Sequence, residues 1–111
     1  MQQLTNAQRK YLRKLAHHLH PVTQVGKHGV TEQVMAKINQ ELEAHELIKI
    51  RFIDFQDQKQ ELAGDLAERL DAVLVGLIGN IAMLYRQHPD HERRQIRLPV
   101  RYTAEHTHDE S

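Results

Sequence analysis

Residues 22–38, VTQVGKHGVTEQVMAKI, set the class of fold. Val22-Thr23-Gln24-Val25 is short, β-prone and bounded by Pro21 and Gly26, so it reads as a strand running into a glycine loop. Thr31 then has the side chain of a helix cap. Glu32 suits the positive end of the helix dipole, and Val34, Met35, Ile38 and Leu42 recur on one helical face. A strand that feeds a capped helix through a glycine loop marks an α/β protein.

Working outward, Thr5 and Gln8 form a reciprocal capping pair ahead of a first helix. Ala7, Tyr11, Leu12, Leu15 and Leu19 recur there at helical spacing and are expected to be its inner face. Pro21 stops this helix. From Glu46 to Ile53 the pattern alternates, with Ile48, Ile50 and Phe52 on one side and Lys49 and Arg51 on the other, as in a half-buried strand. A polar linker, residues 54–60, precedes a third helix with the stripe Leu62, Ala63, Leu66, Ala67 and Leu70, closed by Asp71. Val73 to Ile78 and Ile81 to Tyr85 are apolar β-prone runs separated by Gly79-Asn80, which suits a two-residue hairpin or a tight bend. The expected architecture is a single compact α/β domain over residues 1–87: one mixed four-stranded sheet packed with three helices. Residues 88–111, basic and then acidic, lose apolar periodicity and are expected to form an extended or disordered tail.

The chain of 111 residues has apolar material for one core and no cysteine, which excludes a disulfide framework and thiolate metal sites and suits a cytoplasmic protein. No apolar run approaches the length that spans a bilayer, so no membrane partner is expected. Net charge is zero, but it is unevenly spread. Residues 1–31 carry five basic residues (Arg9, Lys10, Arg13, Lys14, Lys27) and no acid, while residues 32–71 carry ten acids against five bases. Such a chain can present one positive face to a polyanion while remaining neutral overall.

Two constellations carry chemistry. Glycines in Gly26-Lys27-His28-Gly29 let backbone amides approach a phosphate, Lys27 adds a mobile cation, and the following helix N-terminus adds its dipole. KH modules clamp nucleotide backbone with a GXXG loop of this kind. The competing reading is an ordinary strand-to-helix turn that needs glycine for a positive φ. On the first helix, Arg9 and Arg13 form one row and Lys10 and Lys14 another, each extended by His17 or His18, with no acid to pair them. A second positive stretch, Arg86, Arg93, Arg94, Arg97 and Arg101, is either an auxiliary arm ordering on RNA or a solubilising tail.

Nine histidines invite a metal site, but adjacent helical histidines point about 100° apart and no further ligand set accompanies His17-His18-x-His20 or His106-x-His108. No metal and no cofactor are expected. Nucleophile elbows, Walker loops and dinucleotide fingerprints are missing, so the chain does not read as an enzyme. With two phenylalanines and three tyrosines, an aromatic RNA platform is not expected either.

Leu4-Thr5, Gln8-Arg9, Tyr11-Leu12-Arg13, Leu15-Ala16-His17-His18-Leu19, Pro21-Val22 and Val25-Gly26-Lys27-x-Gly29-Val30-Thr31 together resemble the CRM domain, the chloroplast RNA splicing and ribosome maturation family. His45-Glu46-Leu47-Ile48-Lys49, Ile78-Gly79 and Leu84-Tyr85-Arg86 continue the likeness, which covers about residues 2–87 and is nearest the stand-alone bacterial members of YhbY type. The resemblance implies a fold similar to the C-terminal domain of translation initiation factor three. It further implies an RNA-binding protein associated with precursors of the large ribosomal subunit, hence with ribosomal RNA; apart from the resemblance, the chain is expected to be a monomer. The loop Gly26, Lys27, His28 and Gly29, beside the basic first helix, would be its RNA contact. His28 is bulkier than the residue often found in that loop, and Asn80 stands where an arginine commonly follows the glycine. A different class of reading is a protein-interaction module that docks on ribosomal proteins or another assembly factor through its acidic helices.

Overall fold

The capping pair at Thr5 and Gln8 forms as the sequence requires: the Thr5 hydroxyl accepts from the Gln8 amide and the Gln8 side chain accepts from the Thr5 amide, both at 3.0 Å. Helix α1 runs Asn6–Ala16 from this cap, followed by β1 Pro21–Val25, α2 Glu32–His45, β2 Leu47–Phe52, α3 Lys59–Arg69, β3 Val73–Ile78 and β4 Ile81–Tyr85. Short 3-10 turns occur at 56–58 and 91–93. This computed structural model describes residues 3–99. Met1, Gln2, Arg101, the His106-x-His108 pair and the acidic chain end lie outside the described residues.

The sheet order is β1-β2-β4-β3. β1 and β2 are parallel and therefore need a crossover, which α2 supplies; β2–β4 and β3–β4 are antiparallel, so the sheet is mixed. Gly79 takes φ +57° in the hairpin that carries β4 back between β2 and β3.

Strand alternation divides the core into two apolar layers. Val25, Ile48, Ile50, Phe52, Ala82 and Leu84 face α2 and α3, where Ile38, Leu42, Ala63 and Leu66 meet them. Leu47, Val75, Met83 and Tyr85 face the other way, against Leu12 and Ala16 of α1 together with Leu4, Ile96 and Leu98. The inner row of α1 is therefore Gln8, Leu12 and Ala16, spaced four apart. This corrects the expected face: Leu15, about 100° around the helix from Ala16, remains 37% exposed, and Leu19, beyond the helix end at Ala16, is 38% exposed. Leu12 is fully buried, and its truncation to Ala would cost about 2–5 kcal/mol.

Residues 88–99 lie along the domain. Glu46, at the C-cap of α2 with φ +66°, is 1% exposed. Its Oε2 accepts from the His88 amide at 2.8 Å, and its Oε1 accepts from the amides of Gln95 and Ile96 at 2.6 and 3.0 Å. The Gln8 side chain donates to the Pro99 carbonyl at 3.1 Å. One buried carboxylate thus converts a stretch without periodicity into a strap across the second core layer.

Candidate nucleic-acid interface

The glycine loop is stapled at both ends. On the strand side, the Val25 carbonyl accepts from the Ile53 and Asp54 amides at 3.0 and 3.2 Å, which ties the start of the loop to the chain leaving β2. On the helix side, Thr31 caps α2 by accepting from the Val34 amide at 3.1 Å. Between these anchors the Gly29 amide donates to the Gly26 carbonyl at 2.9 Å, closing a turn in which Lys27 and His28 are exposed. The amides of Lys27 and His28 reach no acceptor among the described residues. They lie beside the opening of α2, whose first-turn amides have no helical partner of their own. Gly26, Lys27, His28, Gly29, Thr31, Gln33 and Val34 line an open groove of about 480 Å³. Donors, a helix N-terminus and a cation around one groove suit an anion.

The two glycines differ. Gly29 has φ +70°, which L-residues rarely adopt, whereas the space beside it is ordinary: an added Cβ would lie 3.5 Å from the Phe55 ring. Gly26 has no positive φ, and a Cβ there would meet nothing within 4 Å. Folding demands a glycine at 29 and none at 26.

Helix α1 rests on β3 and β2, whereas the loop ends the opposite edge strand, β1. Lys10, Arg13, Lys14, His17 and His18 are exposed, and none of them forms an ion pair among the described residues. Arg9 is half-buried, with Nη1 donating to the Leu74 and Val75 carbonyls at 2.9 and 3.3 Å, so its charge also fastens α1 to the sheet. The Arg13 stem passes over Gly76, its Cδ 3.5 Å from where a Cβ would stand. The His17 and His18 rings meet edge to face at 5.2 Å. No hydrogen bond or ion pair among the described residues joins this set to Gly26–Gly29. The sheet separates α1 from α2 and α3 with their acids, and Glu41 is engaged on its own helix by Lys37 at 3.4 Å and His45 at 3.5 Å.

Sequence reasoning passed over Lys49 and Arg51 as the polar side of a strand. Alternation places them on the α1 side of the sheet, where Lys49 Nζ donates to the Leu19 carbonyl at 3.1 Å and exposed Arg51 pairs in register with Gln24 and Ile81. Arg51 is thus a cation on the sheet face between α1 and the loop-bearing strand. The signal was present in the alternation, but it acquires meaning only once α1 is known to lie on that face.

The C-terminal arginines divide by partner. Arg86 is held within the fold: Nη1 donates to Asn39 Oδ1 and the Leu70 carbonyl at 2.8 and 3.0 Å, and Nη2 to the Asn39 carbonyl at 3.1 Å, so the guanidinium clamps α2 to the end of α3. Arg94 Nε donates to the His88 carbonyl at 2.8 Å within the strap. Arg93, 3.7 Å from Asp90, and Arg97 are exposed. At the hairpin, Lys59 Nζ donates to Asn80 Oδ1 at 3.1 Å and brings a cation to the turn that Asn80 itself lacks.

The Tyr85 hydroxyl is buried without a hydrogen-bond partner among the described residues. Burial, and then the negative charge of Glu46, push the phenol up to about 12, with Arg94 opposing.

Three helices on a four-stranded mixed sheet, with a glycine loop between the first strand and a capped helix, define a small α/β domain. The chain belongs to the CRS1 / YhbY (CRM) domain family, whose model matches residues 4–86. It is 40% identical over 97 residues to the Probable RNA-binding protein YqeI of Bacillus subtilis, a match that covers 86% of this chain and 99% of that protein. An RNA-binding protein of Haemophilus influenzae is 38% identical over 100 residues, covering 89% and 98% respectively. The solution structure of SAV1595 from Staphylococcus aureus superposes with a TM-score of 0.74 at 39% identity, over 87% of this chain and all of that one.

Proposed function

We propose that this protein is a non-catalytic, cytoplasmic RNA-binding protein that holds structured RNA by its sugar-phosphate backbone. Within this reading it acts as an assembly factor on ribosomal RNA of the large-subunit precursor. The observation that carries the reading is the groove at Gly26–Gly29, lined by Lys27 and His28, whose amides find no acceptor among the described residues, and by the first residues of α2. Gly26 supports it, since the interior gives no reason for a glycine there and close approach of a ligand does. Relatives named as RNA-binding proteins support the choice of anion. Lys10, Arg13, Lys14, His17 and His18, with Arg51 on the sheet face, extend the positive ground on which further phosphates rest; Arg93 and Arg97 are auxiliary.

The test separates charge from shape. Lys27→Ala should weaken binding to large-subunit ribosomal RNA and lower the salt slope by about one unit, the loss of one phosphate contact. Gly29→Val should weaken binding without that change in slope, because a β-branched residue resists φ +70° and deforms the turn. Filter binding across a salt series reads both, and circular dichroism confirms folding. Unchanged affinity in both folded variants removes the loop from the interface and favours docking on a ribosomal protein. Sedimentation of the tagged protein with large-subunit precursors, rather than with mature subunits, tests the assembly role.

A further inference from the structure

The residue that touches the glycine loop from outside is an exposed phenylalanine in a backbone conformation that disfavours it. Phe55 has φ 58° and ψ 34°, in the left-handed region where bulky residues are rare. It is nevertheless 41% exposed, and Ile53 two residues earlier is 47% exposed. The surrounding turn is otherwise polar, Asp54, Gln56, Asp57 and Gln58. Two ties hold it in place: the Val25 carbonyl receives the amides of Ile53 and Asp54, and the Gln58 amide donates to the Phe55 carbonyl at 3.0 Å. The ring is thereby brought to Gly29, with Cε2 and Cζ at 3.5 and 3.7 Å from the position of a Cβ. Burial explains neither the residue nor its conformation, and a strained, exposed aromatic against Gly29, one of the residues that line the groove, points to function.

Resting on the phosphate-loop reading, we propose that Phe55 is a stacking platform for an unpaired base of the RNA strand whose phosphate sits in the Gly26–Gly29 groove, with Ile53 widening the apolar floor. A base is tethered to its phosphate through one ribose, so an aromatic ring touching the loop is within reach of the nucleotide held there. Asp54 and Asp57, both exposed in the same turn, repel a second phosphate and leave the ring to the neutral part of the nucleotide. Every base has a π-face, so the contact tolerates sequence while rejecting a duplex, whose bases are already stacked and paired. The loop would then favour single-stranded segments, bulges or ends over continuous helix, a selectivity that phosphate contacts alone do not provide.

The test uses oligo-uridine, which stays unpaired, and the same strand annealed to its complement. Phe55→Leu keeps an apolar side chain against Gly29 and removes the π-face. It should weaken single-strand binding by roughly 5- to 150-fold, with the salt slope and duplex binding unchanged. Phe55→Trp should retain binding, and because the chain contains no tryptophan its emission reports this site alone; single strand should quench it and duplex should not. Full single-strand affinity in Phe55→Leu, or unaltered emission of Phe55→Trp at saturation, would overturn the proposal and leave the ring as a spacer over Gly29. Should Phe55→Leu fail to fold, the tryptophan emission decides. Lys27→Ala measured in parallel keeps the two readings apart: weakened binding there with none in Phe55→Leu removes the stack alone, and the reverse result removes the loop as phosphate site while the stack stands.

Discussion

Glu46→Gln alters a single atom at the point where the strap joins the domain, and its cost follows from the geometry. The carboxylate receives three amides, from His88 at 2.8 Å on one oxygen and from Gln95 and Ile96 at 2.6 and 3.0 Å on the other. A carboxamide has one acceptor oxygen. Its better orientation keeps that oxygen toward Gln95 and Ile96, leaving its NH2 group opposed to the His88 N–H, a buried donor without an acceptor that costs about 1–3 kcal/mol. The two remaining bonds lose their charge assistance, roughly half of their strength. Relief of a buried charge's desolvation offsets part of the loss, so a net destabilisation of about 2 kcal/mol is expected. Backbone strain is unchanged, because glutamine occupies the same φ +66°. Urea unfolding followed by circular dichroism reads the total, and hydrogen exchange at the His88, Gln95 and Ile96 amides reads its location, with the strap opening before the sheet. A loss below about 0.5 kcal/mol with unchanged protection at those amides would refute the assignment of Glu46 as the anchor.

Arg86→Met should destabilise the fold by about 1–3 kcal/mol in urea through the lost bonds to Asn39 and Leu70, while the salt slope of RNA binding stays as it was. Gly29→Ala should cost about 1–2 kcal/mol because φ is +70°, whereas Gly26→Ala should unfold within about 0.5 kcal/mol of the parent yet bind RNA less well; equal stability losses would contradict the division of roles. Tyr85 titrates at about 12 in the folded chain against about 10 unfolded, so its neutral form favours folding below pH 10, and that contribution is lost as pH rises through 12. Tyrosinate absorbance should show this late step, and Tyr85→Phe should flatten the alkaline fall in stability.

Local preference was readable. The caps at Thr5 and Thr31, the alternation through Ile48, Ile50 and Phe52 and the hairpin at Gly79-Asn80 depend on neighbours within a few residues, and each element they imply is present in order. The loop could be placed between β1 and α2 for the same reason, as could the charge bias of α1. Long-range partners could not be read. Gln8, Leu12 and Ala16, and not Leu15, face inward because that row is the one the second core layer receives, and Leu19 falls beyond the end of the helix. Arg86 and Arg9 announce charge in the sequence but not that the Asn39 and Leu74 carbonyls, tens of residues away, engage it. Residues 88–99 lack periodicity, since what holds them is Glu46 more than forty residues earlier, a buried acceptor whose donors no spacing rule connects. Phe55 looks like one apolar residue in a polar linker until the Val25 carbonyl draws the chain leaving β2 against Gly29. Hydrophobic period and capping chemistry act through bonds along the chain, so one sequence carries them; which carbonyl meets which cation is settled only when the sheet closes and brings distant residues within hydrogen-bond reach.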